Sequence, residues 1–217
     1  ALYRSHIDET MDILGNTKSK CLSFCCDLEH ASVKEIYEVV DDVISAFGRL
    51  DILVNNAGTI CIAPAIDYPI EYWDEVLKVN LVSTFYLCQA SAKYFIKKKI
   101  KGKIINIASM LSYQGGDLVV AYTASKSGIA GITKTMTSEW AKFGININAI
   151  APGYIHTENT RPLWENQKEN ERIVNRIPAG RWGQPSDLKG LAVFLASDAS
   201  EYINGAMIPI DGGWLVR

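Results

Sequence analysis

The feature that most limits how this chain can fold is a change of period that repeats along it. Val33, Ile36, Tyr37, Val40, Val43, Ile44 and Phe47 recur at helical spacing and stop at Gly48, the pattern of an amphipathic helix with a glycine end signal. The next run, Asp51 to Val54, is short, apolar and rich in β-formers. It ends in Asn55-Asn56-Ala57-Gly58 and so reads as a buried strand entering a turn. The same order then recurs: helix over Trp73 to Lys97, strand over Lys103 to Ala108, helix over Ala121 to Phe143, strand over Asn146 to Ala151, helix over Asp187 to Ala196, strand over Ala206 to Ile210. Strands separated by crossover helices pair in parallel, so the fold class is α/β, an open doubly wound parallel sheet.

No repeat, linker or low-complexity tract divides the 217 residues, and one domain is expected. With 22 basic and 24 acidic residues the formal net charge is -2, which gives no field for nucleic acid or an anionic membrane. No apolar run approaches the roughly 20 residues that span a bilayer, and the expected location is the cytoplasm. Cys21, Cys25, Cys26, Cys61 and Cys88 form an odd set without C-x-x-C spacing. They are expected to be reduced and mostly buried, with no metal site. The lysine run at 97, 98, 99, 101 and 103 reads as a solvated helix end that complements the macrodipole.

The chemistry-bearing pattern is Tyr122 and Lys126, four apart on an expected helix, hence about 6 Å apart along its axis and on one face. A Tyr becomes a useful acid or base near neutrality when its pKa falls about three units, and an ammonium about 4 Å away supplies a comparable energy. Tyr94 and Lys98 have the same spacing, but a core Tyr and a solvated Lys account for them. Ser109 separates the two cases. It lies thirteen residues before Tyr122, just past a strand, at the carboxyl edge where open parallel sheets bind ligands, whereas Leu81 holds that place before Tyr94. A hydroxyl there can bond a carbonyl oxygen while a phenol protonates it.

Asn55 to Gly58 after a strand, Asn80, Ser109, and Tyr122 with Lys126, in that order, resemble the short-chain dehydrogenase/reductase family from about Cys21 onward. The resemblance implies a Rossmann-type fold and a nicotinamide cofactor, NAD or NADP with NAD preferred. It further implies that Tyr122 is the acid/base, that Ser109 positions the carbonyl, and that Lys126 lowers the Tyr pKa and holds the nicotinamide ribose. Asn80 would support a proton-relay water. Asp27 and Leu28 would meet the adenine, Asn56, Ala57 and Gly58 would form the cofactor-side turn, and Pro152, Gly153, Ile155 and Thr157 would form the loop at the carboxamide. The Asn55 to Gly58 turn also reads as a sheet-stabilising element, and His156 as a solvated loop residue.

Ile104 to Gly116, Ala151 to Tyr154, Ile177 to Gly183 and Asp211 to Trp214 look like the branch of that family that acts on sugar acids such as 2-deoxy-D-gluconate or 2-dehydro-3-deoxy-D-gluconate. Alternatives are a gluconate 5-dehydrogenase, another short-chain reductase, or a non-catalytic oligomerising relative. The family opens with a strand, T-G-x-x-x-G-x-G and a helix, and no such motif occurs here. Residues 1–217 are therefore expected to be an incomplete Rossmann-type domain lacking an opening β-α-β unit of about 30 residues. Arg4 is then the only hint toward NADP. A homotetramer is expected, since the helices from Trp73 and Ala121 are more apolar than one sheet face requires. Arg161, Arg172, Arg176 and Arg181 are candidate partners for a substrate carboxylate, within a segment between Thr157 and Gly183 that acts as a lid.

Overall fold

The computed structural model describes residues 2–3, 8–15 and 19–217, so Arg4 lies outside the described residues. In chain order the elements are β1 (Leu2–Tyr3), α1 (Asp8–Gly15), β2 (Phe24–Cys25), α2 (Val33–Phe47), β3 (Ile52–Asn55), α3 (Ile70–Leu77), α4 (Ser83–Lys98), β4 (Lys103–Ile107), α5 (Val120–Trp140), β5 (Asn146–Pro152), α6 (Arg161–Trp164), α7 (Gln167–Arg176), α8 (Pro185–Ala196) and β6 (Met207–Ile210). α2 shows how local chemistry sets these limits. The Ser32 hydroxyl accepts from Glu35 N while the Glu35 carboxylate accepts from Ser32 N at 2.8 Å, and Gly48 closes the helix at φ 79°.

All strand pairs are parallel, in two ladders: β1 with β2, and β3-β4-β5-β6. One continuous sheet was the expectation. Among the described residues β3 is instead the edge of the larger ladder, and its Ile52 and Val54 are 42% and 49% exposed.

The interior strands are covered on both faces, and side chains alternate between them. Ile104 and Ile147 pack with Phe95 and Met136 beneath α4 and α5, whereas Ile105 and Ile150 pack with Leu195 of α8. A third cluster, Met110, Ile173, Ile177, Trp182 and Trp214, joins the turn after β4 to α7 and the C-terminal segment. No helix of the described residues is long and apolar enough to cross a membrane.

Three expectations need correction, and one segment gains two helices. The long helix from Trp73 is two helices joined by a π turn at Lys78–Val82, because Asn80 within it is drawn into hydrogen bonds outside the helix. The segment after Thr157, where the sequence reading places no element, contains α6 and α7. Of the five cysteines, expected to be mostly buried, only Cys88 is. Lys103 is not part of a solvated helix end: it is buried, and its ammonium donates to Asn146 Oδ1 at 2.8 Å. Tyr94 and Lys98 match expectation, with Tyr94 packed on the core and Lys98 exposed.

Candidate active site

The carboxyl ends of β3, β4 and β5 bring Gly58, Ser109 and Pro152 to one edge of the sheet, and α5 lies against β5 and the turn after β4. Ser109 is 5% exposed and starts a short turn, Met110–Ser112. Its Oγ accepts from Leu111 N at 3.1 Å, and its hydroxyl lies near enough to the Tyr122 phenol to pull the phenol's pKa down. Ser112 Oγ donates to Lys126 O at 2.6 Å and so ties this turn to α5.

Tyr122 and Lys126 share one face of α5, with the Lys126 Nζ 5.6 Å from the Tyr122 ring centroid. Burial pushes the phenol above its ordinary pKa, against a smaller downward pull from the Ser109 hydroxyl. Burial pulls Lys126 down to about 8. The expected lowering of the Tyr122 pKa by Lys126 is not met in this geometry: burial raises it, and the ammonium is turned to the Ile107 carbonyl at 2.6 Å. The phenol therefore stays protonated through neutrality, as a weaker acid than a phenol of ordinary pKa.

Asn80 is 1% exposed and engaged on every side. Its Oδ1 accepts from Thr59 N at 2.8 Å, its Nδ2 donates to Thr59 O at 2.9 Å and Ser125 Oγ at 3.1 Å, and its carbonyl accepts from Thr84 Oγ1 at 2.9 Å. Its visible work is to clamp the turn after β3 onto α5. Asn55 takes the sheet-stabilising part, its Nδ2 donating to Asn106 Oδ1 at 2.9 Å, while Asn106 Nδ2 donates to Thr133 Oγ1 of α5 at 3.0 Å.

Does this site fit a nicotinamide nucleotide? Gly58 lies in the crook between Asn80 and Lys126, where a Cβ would stand 3.4 Å from Asn80 Oδ1 and 3.8 Å from Lys126 Nζ. Lys126 is 4% exposed, and among the described residues its three N–H groups meet one acceptor, Ile107 O. A buried ammonium with donors to spare beside an exposed Asn56-Ala57-Gly58 turn fits the hydroxyls of a ribose. The other end is less open. Asp27 Oδ1 accepts from Glu29 N at 3.1 Å, Asp27 Oδ2 meets His30 Nδ1 at 3.0 Å, and Leu28 is buried.

The loop after β5 is built from close approaches. Gly153 N donates to Ile210 O at 2.9 Å, and a Cβ on Gly153 would stand 2.7 Å from Asp211 Cα, so no side chain fits there. Ile155 is buried and bridges Gly183, while Thr157 caps the turn at 158–160. His156 is exposed and stacks on Trp164 at 4.0 Å. A hollow of about 300 Å³ bordered by Tyr154, Ile155, Arg181 and Asp187 lies beside this loop and is not lined by Tyr122, Ser109 or Lys126.

Thr59, Ser112, Ser125, Asn106 and Thr133 are the positioning groups that sequence reasoning missed. Only Thr59, next to Gly58, carries a sequence signal. Leu118 was missed as well: it has φ 65° and its carbonyl accepts from Ala63 N at 2.9 Å, which pins the loop before α5 to the segment after β3.

Residues 4–215 match the family described as enoyl-(acyl carrier protein) reductase. The chain belongs to the short-chain dehydrogenase/reductase family. Within it, the chain is 50% identical over 209 residues to 2-dehydro-3-deoxy-D-gluconate 5-dehydrogenase of Escherichia coli (strain K12), covering 96% of this chain and 82% of that protein. A solved Agrobacterium tumefaciens structure, described as a candidate 2-deoxy-D-gluconate 3-dehydrogenase with bound NADP, superposes with TM-score 0.91 at 45% identity, over 100% of this chain and 85% of that one. A Burkholderia cenocepacia J2315 gluconate 5-dehydrogenase in complex with NADP and tartrate gives TM-score 0.86 at 36% identity, over 90% and 75% of the two chains. Family membership makes the protein an oxidoreductase that uses a nicotinamide cofactor. Both solved relatives hold NADP, which lends no support to the expected preference for NAD.

The depressed Lys126 pKa has a measurable consequence. Its folded value of about 8 lies below the ordinary 10.5, so between those pH values the unfolded chain binds the additional proton and stability rises with pH. Below pH 8 both states carry the charge and the folded state bears its full burial cost. Buried Cys88, pushed up to about 12, works in the opposite direction above pH 9. The comparison is therefore made against Lys126→Met. Urea denaturation should show wild type gaining about 3 kcal/mol on that variant from pH 8 to 10.5, and a flat difference would mean that Lys126 is not charged in a buried site.

Proposed function

We propose that this protein interconverts a ketone and a secondary alcohol on a six-carbon sugar acid of the 2-dehydro-3-deoxy-D-gluconate type, with NAD or NADP as hydride partner. The observation that carries the reading is the grouping of buried Ser109, the Tyr122 phenol and a buried Lys126 with spare donors at one edge of the sheet. The names of the relatives supply the substrate class and disfavour the enoyl substrate of the wider family description.

In the reducing direction Ser109 and Tyr122 bond the carbonyl oxygen and Tyr122 gives it a proton; in the oxidising direction Tyr122 takes that proton back. The nicotinamide, when bound, supplies or accepts the hydride. Lys126 holds the ribose and keeps positive charge near the phenol oxygen as its proton leaves. Asn80, through Thr59 and Ser125, keeps these groups in register. Asp27 and Leu28 are assigned to the adenine end, and Asn56, Ala57, Gly58, Pro152, Gly153, Ile155 and Thr157 to the nicotinamide side.

The same reading takes residues 1–217 as one Rossmann-type domain. It makes the protein a cytoplasmic homotetramer. Exposed Ile62, Ile66, Ile70 and Trp73 on one side, and Val193 and Phe194 on another, support two kinds of subunit contact. A panel of 2-dehydro-3-deoxy-D-gluconate, D-gluconate and a trans-2-enoyl thioester, each assayed with both nicotinamide dinucleotides, tests the function. Turnover of a sugar acid and none of the thioester is expected, and the reverse pattern would move the protein out of the sugar-acid branch.

A further inference from the structure

Four arginines lie in or beside the lid, and the structure separates them. Arg161 meets Glu158 at 2.5 Å, Arg172 meets Glu169 at 2.8 Å, and Arg181 meets Asp187 at 2.7 Å. Arg176, the last residue of α7, has no carboxylate within ion-pair distance among the described residues. Its guanidinium lies over the Trp214 ring, 4.0 Å from the centroid. Stacking of this kind fixes the plane of the fork and leaves its N–H edge to a ligand.

Two neighbours share this condition. Trp214 is 2% exposed, and its indole N–H has no acceptor. Tyr154 packs edge-on against Trp214 at 4.8 Å and Trp182 at 5.3 Å, and its phenol has no hydrogen-bond partner among the described residues. The charges that act on that phenol come from Arg172 and Arg176 and from Glu169 and Asp117. Arg176 is exposed and Tyr154 half-buried, so both can present donors to an acceptor from outside, whereas the Trp214 N–H is sealed from it.

The cluster adjoins the chemistry. Met110, which follows Ser109 directly, packs in it with Trp214 and Ile173, and Tyr154 stands two residues past the end of β5 at the same sheet edge. A sugar acid whose ketone oxygen lies on Ser109 and Tyr122 carries its carboxylate a few bonds away.

We propose that Arg176, with Tyr154 beside it, receives the carboxylate of the substrate and makes the site selective for sugar acids over uncharged ketoses. This rests on the sugar-acid reading above. Arg172 already has Glu169 and serves as a neighbouring charge. Asp117 is the acidic group that the incoming anion has to outweigh.

The test uses a matched pair of ketones, 5-keto-D-gluconate and L-sorbose, which differ in having a carboxylate or a primary alcohol at the end remote from the ketone. Each is reduced by the purified protein with NADPH. Wild type should prefer the acid through KM. Arg176→Met keeps an apolar stem on Trp214 and should raise the KM for 5-keto-D-gluconate about 10- to 100-fold, the loss of one charged hydrogen-bonding partner, while kcat holds and L-sorbose kinetics change less than twofold. Arg176→Lys should recover part of the lost affinity, because a point charge remains but the fork does not, and it decides the matter if the Met variant fails to fold. Wild-type selectivity retained in either folded variant overturns the assignment of Arg176 and leaves the sugar-acid reading standing. Equal use of the two ketones by wild type overturns both.

Discussion

Tyr122→Phe should lower kcat by about 10²- to 10⁴-fold in either direction while dinucleotide affinity changes less than about twofold. The ring is retained and Lys126 keeps its bond to Ile107 O, so the cofactor side of the site is undisturbed. What disappears is the phenol proton beside the Ser109 hydroxyl. The pH profile carries the same message. Burial holds the phenol above its ordinary pKa, so ketone reduction should stay flat through neutrality, whereas alcohol oxidation, which begins by loading a proton onto the phenolate, should climb on the alkaline side. Steady-state kinetics and a binding titration on the same preparation check both. If Tyr122→Phe turns over normally and Tyr94→Phe does not, the wrong Tyr and Lys pair has been assigned.

Lys126→Met should damage binding and chemistry together, with kcat/KM for the dinucleotide falling about 10²-fold or more. The buried ammonium stands between Gly58 and the Tyr122 ring, so its loss removes a donor toward the ribose and the positive charge that steadies the phenol oxygen as it gives up its proton. The stem of Met fills the same channel, and the Lys126 burial cost vanishes, so the variant should fold at least as well as wild type near neutrality. A fall in kcat with unchanged dinucleotide affinity would restrict Lys126 to the proton-transfer role.

Much of this site could be read from spacing, because helix geometry alone puts Tyr122 and Lys126 on one face and strand order alone puts Ser109 at the sheet's carboxyl edge. The helix ending at Gly48 and the buried strands at Lys103–Ile107 and Asn146–Pro152 were legible for the same reason: caps and periods are local. What stayed hidden depends on contacts between distant residues. The π turn at Asn80 arises from its bonds to Thr59 and Ser125, 21 and 45 residues away, and a wider turn barely disturbs the apolar pattern. Lys103 reads as one more surface lysine in a basic run until its partner Asn146, 43 residues on, is known. The direction of the Tyr122 pKa was misjudged because Coulomb's law at 4 Å is easy to apply to a sequence, whereas the depth of burial and the turn of Lys126 toward Ile107 are properties of the packed structure.

The central claim is that the ketone of a sugar acid takes a proton from Tyr122 and a hydride from the nicotinamide dinucleotide held beside it. Reduction of 5-keto-D-gluconate with NADPH carrying deuterium at the transferable position, followed by mass spectrometry of the product, tests it most directly. The account predicts one deuterium on the new carbinol carbon, with formation abolished in Tyr122→Phe; a product without deuterium, or the same yield from the variant, would contradict it.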